Sequence, residues 1–128
     1  MLRLKTISLL GHRSELDALP EGKVLINTIN AHSYNTARKD AAFAEALLKG
    51  DALIPDGASI VLAFKFLRHK NIERIAGWDL FLHEMDKLNR KSGVCFFLGS
   101  SEETLRKIKA KAAGVYPDIR IETYSPPY

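Results

Sequence analysis

Two short apolar runs, each stopped by a polar cluster and followed by a helix-like stretch, constrain this chain most. Val24-Leu25-Ile26 gives way to Asn27-Thr28-Ile29-Asn30-Ala31-His32, and Ala52-Leu53-Ile54 gives way to Pro55-Asp56-Gly57. Runs of this length, rich in aliphatic and β-branched residues, read as buried strands. Strands that alternate with helices form βαβ units around a mainly parallel sheet. Right-handed crossovers place helices on both faces. The expected fold class is α/β. Ligands of such sheets bind in the crevice at the carboxyl ends of the strands. Polar side chains with a lone carboxylate at that place suggest a site rather than a core.

The rest of the chain continues the pattern. Residues 6–10 read as a short strand, 14–19 as a helical turn before Pro20, and 23–27 as a buried strand. Ser33 or Asn35 is placed to cap a short helical turn. Asp40 caps a helix over 41–49, closed by Gly50. A strand over 52–54 is followed by a helix over 58–68, where Ile60, Val61, Phe64 and Leu67 make one apolar stripe. Phe64 and Phe66 read as packing residues. A second long helix covers 77–90, with Leu80, Phe81, Met85 and Leu88 inward. A strand over 94–98 ends at Gly99, Ser101 starts a helix running to about 113, and a last strand covers 119–123. There is no linker or internal repeat, so residues 1–128 read as a single α/β domain. The last strand runs into Ser125-Pro126-Pro127-Tyr128 without a following helix, so the sheet is expected to be truncated at its C-terminal side.

Composition excludes several classes. At 46% hydrophobic and 27% charged, 128 residues suffice for one packed core. The single cysteine, Cys95, lies within Val94-Cys95-Phe96-Phe97-Leu98 and reads as a buried, inert thiol. No apolar run is long enough to span a membrane. The first residues, Met1-Leu2-Arg3-Leu4-Lys5, lack the apolar core of a signal peptide, which points to the cytoplasm. The excess of 19 Lys and Arg over 15 Asp and Glu is mild. It fits a phosphate-bearing ligand or an anionic membrane. Lys65, Arg68, His69, Lys70 and Arg74 form one basic group, and Arg106, Lys107, Lys109 and Lys111 another; both read as solvated helix faces. Without an aromatic–basic interleave or a known motif, nucleic acid is not an expected partner.

Asp56 leads the candidates for chemistry. It follows a buried strand and a proline that fixes its approach, and precedes Gly57, which permits a tight turn and close ligand approach. A lone carboxylate there serves as a general base toward a hydroxyl. The competing reading is a plain turn whose Asp caps the next helix. Thr28 and Asn30 alternate with Ile29 and so share a face. They either bind a sugar or phosphate or cap the local backbone. His32 is a candidate phosphate partner or proton carrier, against a surface or capping role. Arg74 either clamps a diphosphate or pairs with Asp79, itself a first-turn acid. Trp78 reads as a packing anchor. Phe97-Leu98-Gly99-Ser100-Ser101 is a weak anion-binding signal. His12, His32, His69 and His83 show no metal-ligand spacing, and no Asp-x-Asp occurs. No metal and no cofactor are expected.

In order and spacing these segments resemble the WecG/TagA/CpsF family of bacterial glycosyltransferases. The resemblance rests on Thr28-Ile29-Asn30-Ala31, Ile54-Pro55-Asp56-Gly57, Glu73-Arg74-Ile75-Ala76-Gly77-Trp78-Asp79-Leu80, Phe96-Phe97-Leu98-Gly99-Ser100, Tyr116-Pro117 and Ser125-Pro126-Pro127-Tyr128. It implies a Rossmann-like α/β fold and an inverting transferase without Asp-x-Asp metal dependence. The implied donor is a UDP-linked N-acetylhexosamine, commonly N-acetylmannosamine or its uronic acid. The implied acceptor is a polyprenyl-diphosphate-linked sugar at the inner face of the plasma membrane, in teichoic acid, enterobacterial common antigen or capsule synthesis. Asp56 takes the place of the catalytic base, Thr28 and Asn30 those of substrate-orienting residues, and Arg74 that of a basic pocket residue. His32 and Gly57 join them as candidate substrate-binding residues. Family members continue past the Ser-Pro-Pro segment with further strands and a basic C-terminal region that helps meet the membrane. The chain is therefore expected to be the N-terminal portion of such a domain, with peripheral membrane contact in the full-length protein. The sheet edge after Thr123 invites homo-oligomers. The alternative is a non-catalytic α/β fragment that binds a nucleotide sugar or a partner chain.

Overall fold

The computed structural model describes residues 2–127. The readings made on Met1 and Tyr128 lie outside the described residues. The chain divides into two compact units, Met1–Leu80 and Phe81–Tyr128.

The first unit holds two strands, β1 (Ile26–Ile29) and β2 (Ala52–Pro55), which pair in parallel with Ile26 opposite Ala52 and Ile29 opposite Pro55. Between them run helices α1 (Ala31–Ala37) and α2 (Ala41–Leu48), and α3 (Ala58–Arg68) follows β2. All four residues of β2 are buried. Successive strand residues point to opposite faces, and here each face has its own apolar cluster. Leu53 and Ile29 pack with Leu4, Ile7, Ala37, Leu47, Ile60 and Phe64. Ile54 packs with Leu16 and Ile75, flanked by Leu10, Leu19, Ile26 and Leu80. A parallel sheet covered on both faces needs such continuous apolar strands.

Several local expectations shift. Residues 6–10 form no strand. A 3-10 turn, Leu4–Thr6, precedes an irregular stretch whose one backbone hydrogen bond to β2, among the described residues, is the Leu10 N–H donating to the Leu53 carbonyl at 3.0 Å. The apolar residues there serve packing, with Ile7 1% exposed. The turn expected over 14–19 is a 3-10 helix, Arg13–Ala18. Strand β1 starts and ends later than 23–27. The Leu25 carbonyl accepts from Asp51 and Ala52 N–H and its N–H donates to Asp51 Oδ2, so Leu25 belongs to the turn. The polar Asn27 is accommodated inside β1 because its amide donates to the Ala46 and Leu47 carbonyls, closing the end of α2. Gly50 lies against that amide: a Cβ there would be 2.7 Å from Asn27 Nδ2. Asp40 caps α2 as expected, accepting from the Phe43 N–H. The cap of α1 is Asn30, not Ser33 or Asn35.

Helix α3 has the expected bounds but a narrower buried stripe. Ile60 and Phe64 are buried, whereas Leu67 is 64% and Phe66 68% exposed, so neither packs as expected.

Helix α4 (Gly77–Arg90) also has the expected bounds, and the boundary between the units falls within it. The second unit adds β3 (Val94–Leu98), α5 (Glu102–Val115) and β4 (Arg120–Tyr124). β3 and β4 pair in parallel, Val94 opposite Arg120 and Leu98 opposite Tyr124. Cys95 and Phe97 pack with Met85, Ala112, Ile119 and Ile121. The alternate residues Val94, Phe96 and Leu98 are exposed. Cys95 is half-buried, and burial pushes its thiol pKa up, as suits an inert residue. The architecture is mixed α/β with parallel strand pairs, consistent with a Rossmann-like fold. Among the described residues no helix is long and apolar enough to cross a membrane.

Candidate functional site

The carboxyl ends of β1 and β2 bring the expected residues to one place. The Asp56 N–H donates to the Ile29 carbonyl at 2.8 Å, tying the two strand ends together. Its carboxylate, 31% exposed, lies 3.6 Å from Arg74 Nη2. The capping alternative for Asp56 fails. The N-cap of α3 is Gly57, without a side-chain hydrogen bond. Among the described contacts the Asp56 carboxylate meets only Arg74.

Arg74 is held there by its neighbour. Ile75 is fully buried, and its N–H donates to the Pro55 carbonyl at 2.9 Å, pinning the segment along the end of β2. Asp79 does not pair with Arg74. It accepts from the Ala76 N–H at 2.8 Å and pairs with Arg13 at 3.3 Å, acting as a first-turn acid for α4. Glu73 accepts from the Arg13 N–H at 3.0 Å and faces His12 at 3.5 Å. The Arg13 N–H bond first, then His12, lowers the Glu73 pKa below its ordinary value. Arg13 was missed in the sequence, since it lies 60 residues from Glu73 and carries no local signal. Trp78 is not the expected packing anchor, being 65% exposed at the start of α4.

Asn30 does two jobs. Its Oδ1 accepts from the Ser33 N–H at 2.9 Å, while Ser33 Oγ accepts from the Asn30 N–H at 2.8 Å. Its amide NH2 remains uncommitted among the described contacts. Gly57 has an extended backbone (φ 162°), so the expected tight-turn freedom is not what it supplies. A Cβ at Gly57 would sit 3.4 Å from the Asn30 Cβ, an ordinary van der Waals contact, so the position sets Gly57 against Asn30 without excluding a side chain. Thr28 is exposed on β1, opposite Ile54, two residues before Asp56 on the paired strand. His32 is exposed in the first turn of α1, and among the described contacts its ring touches none of the other candidates. The geometry therefore gathers Asp56, Arg74, Gly57 and Asn30, sets Thr28 beside them, and leaves His32 at the rim.

Chemically the place offers one carboxylate, one guanidinium, and amide and hydroxyl donors. That set can take a proton from a hydroxyl and balance a diphosphate. Among the described residues no three His, Cys, Asp or Glu side chains gather as a metal site. A cavity of about 440 Å³ lies elsewhere in this unit, beside the C-terminal end of α3, and none of the candidates lines it.

The family model described as "Glycosyl transferase WecG/TagA/CpsF family" matches residues 5–128. The chain is 28% identical over 104 residues to the N-acetylglucosaminyldiphosphoundecaprenol N-acetyl-beta-D-mannosaminyltransferase of Bacillus subtilis (strain 168), covering 81% of this chain and 41% of that protein. It is 29% identical over 103 residues to the protein of the same name from Bacillus spizizenii (strain ATCC 23059 / NRRL B-14472 / W23), covering 80% and 40%. The chain thus spans about four tenths of the length of these curated relatives.

Proposed function

The chain belongs to the glycosyl transferase WecG/TagA/CpsF family, and on that premise we propose that its protein moves an N-acetylhexosamine-type sugar from a UDP donor to a polyprenyl-diphosphate-linked acceptor. N-acetylmannosamine or its uronic acid is the sugar, and the product feeds cell-surface polysaccharide synthesis at the inner face of the plasma membrane. The names of the two relatives support the acceptor class and the sugar.

The observation that carries this reading is the Asp56 carboxylate, partly buried at a strand end and spent neither on a helix cap nor on backbone. Asp56 takes the proton of the acceptor hydroxyl. The hydroxyl oxygen attacks the anomeric carbon from the face opposite the leaving group. The bond from that carbon to the UDP phosphate oxygen breaks, its electron pair leaves with UDP, and the configuration inverts. Arg74 balances the diphosphate charge as it develops. Its pairing with Asp56 is loose, at 3.6 Å and 57% exposed, so the guanidinium is able to swing toward a diphosphate. Thr28 and the free amide of Asn30 orient the sugar, and Gly57 lies against Asn30 at the edge of the same place.

Titration calorimetry of UDP into this chain and into Arg74→Ala tests the donor half. Saturable binding that falls about tenfold in the variant is expected, since a charge-assisted contact is lost. Equal affinity of the two would remove Arg74 from the site.

A further inference from the structure

The segment that carries Arg74 is gripped by a residue far from it in sequence. The 3-10 helix Arg13–Ala18 is seated by its buried Leu16, which packs with Ile54 and Ile75. Its start is fixed by Glu15 Oε2, which accepts from the Gly11 and His12 N–H groups at 2.6 and 2.7 Å. Arg13 is thereby held against both ends of the 73–79 segment. Its N–H donates to Glu73 Oε2 at 3.0 Å, and its Nη2 lies 3.3 Å from Asp79 Oδ1. The backbone doubles the hold on Glu73, whose N–H donates to the Gly11 carbonyl at 2.7 Å.

These contacts converge on one residue. The Ile75 N–H is held by the Pro55 carbonyl, and the Ala76 N–H by Asp79 Oδ2. Glu73, Ile75 and Ala76 are therefore each tied. Arg74 sits among them with its side chain in only the loose approach to Asp56, among the described contacts. Stability does not account for the arrangement. The side chains of Arg13 and Glu73 are more than half exposed, and exposed ion pairs add little to stability. What they fix is place. A guanidinium that must meet a diphosphate in a two-point geometry loses affinity when its backbone wanders.

We propose that Arg13 is a positioning residue for the sugar-nucleotide donor: its guanidinium holds Asp79 and its N–H holds Glu73, so that the 73–79 segment presents Arg74 to the diphosphate. Arg13 acts through Arg74 and touches no substrate. The rival role, a second diphosphate ligand, is opposed by the commitment of its guanidinium to Asp79. The proposal rests on the donor role of Arg74 given above for its purpose, but the grip itself is measured without donor.

The test is a double-mutant cycle of Arg13→Gln and Arg74→Ala in this chain, read by calorimetry with UDP and, without UDP, by nitrogen-15 relaxation of the residue-74 and Ala76 amides. Arg13→Gln keeps the N–H to Glu73 and loses the guanidinium. Circular dichroism checks that each variant folds. In Arg13→Gln both amides are expected to show lower order than in the unaltered chain. UDP affinity is expected to fall about threefold in Arg13→Gln alone, and not further when Arg74 is already alanine. Arg13→Lys keeps a cation for Asp79 and should recover most of the affinity. Asp79→Asn keeps an acceptor for the Ala76 N–H, breaks the ion pair, and should repeat the loss by a second route. Unchanged amide order in both Arg13→Gln and Asp79→Asn would overturn the proposal. So would effects of Arg13→Gln and Arg74→Ala on UDP affinity that simply add, the mark of a direct ligand. An unaltered chain that binds no UDP would count against the donor reading, while the amide order would still decide for or against the grip.

Discussion

The carboxyl ends of β2 and β3 are built alike and equipped differently. Each strand runs into a glycine-containing turn and then a helix. At β3 the polar groups close the turn. Gly99 and Ser100 take positive φ, Ser101 Oγ caps α5 through the Thr104 N–H, and Ser125 Oγ donates to the Ser100 carbonyl. At β2 the helix begins without a side-chain cap, and the adjacent carboxylate of Asp56 is left to face Arg74. The surroundings differ too. β2 is buried throughout, whereas β3 leaves Phe96 59% and Leu98 71% exposed. A strand end that satisfies its backbone and still keeps a charge to spare is the one to examine for chemistry.

The contrast is sharpest in stability. Ile54→Ala removes a fully buried side chain and is expected to cost about 2–5 kcal/mol. Phe96→Ala, on the open face of β3, should cost less than about 1 kcal/mol by thermal or urea melting. Equal losses would mean that β3 is as enclosed as β2.

The two caps come next. Asn30→Ala and Ser101→Ala each lose a helix cap worth about 1 kcal/mol. Only Asn30→Ala is expected also to weaken sugar-nucleotide binding, read by calorimetry. A like effect of Ser101→Ala on binding would erase the distinction between the two ends.

Arg74→Ala removes a half-exposed ion pair and should move stability by less than about 1 kcal/mol, despite its effect on UDP affinity. A larger loss would make the Asp56–Arg74 pair structural.

The smallest effect is one of pH. Glu73 has a lowered pKa in the folded chain, so its contribution is fully present above the unfolded carboxylate value. It is lost as pH falls through the lowered value. Glu73→Gln should flatten that part of the acid-unfolding profile, and an unchanged profile would show that the Arg13 and His12 contacts contribute nothing.

Much of the frame was legible in the sequence because its signals are local. The bounds of α3, α4 and β3 follow from apolar spacing between Pro, Gly and capping residues. What was hidden depends on contacts between distant residues. Asn27 read as the last residue of its strand, yet it lies inside β1 because it closes the end of α2, 19 and 20 residues away. The apolar stretch at 6–10 has strand composition but makes too few backbone bonds to form one. Phe66 and Leu67 carry the composition of a core, and only the packing of α3 shows that they face outward. At the site, Asp56 and Arg74 were legible as types at a strand end. That Asp56 leaves α3 uncapped, and that Ile75 fixes Arg74 beside it, required the fold.

The most direct test of the account is transfer by the full-length protein carrying Asp56→Asn, with kcat measured beside a folding check and UDP affinity. The account predicts a normal fold, near-normal UDP binding and a kcat lower by about 10²–10⁴-fold, the usual worth of a general base. A kcat within a few-fold of the unaltered protein would contradict it and return Asp56 to the role of a turn residue.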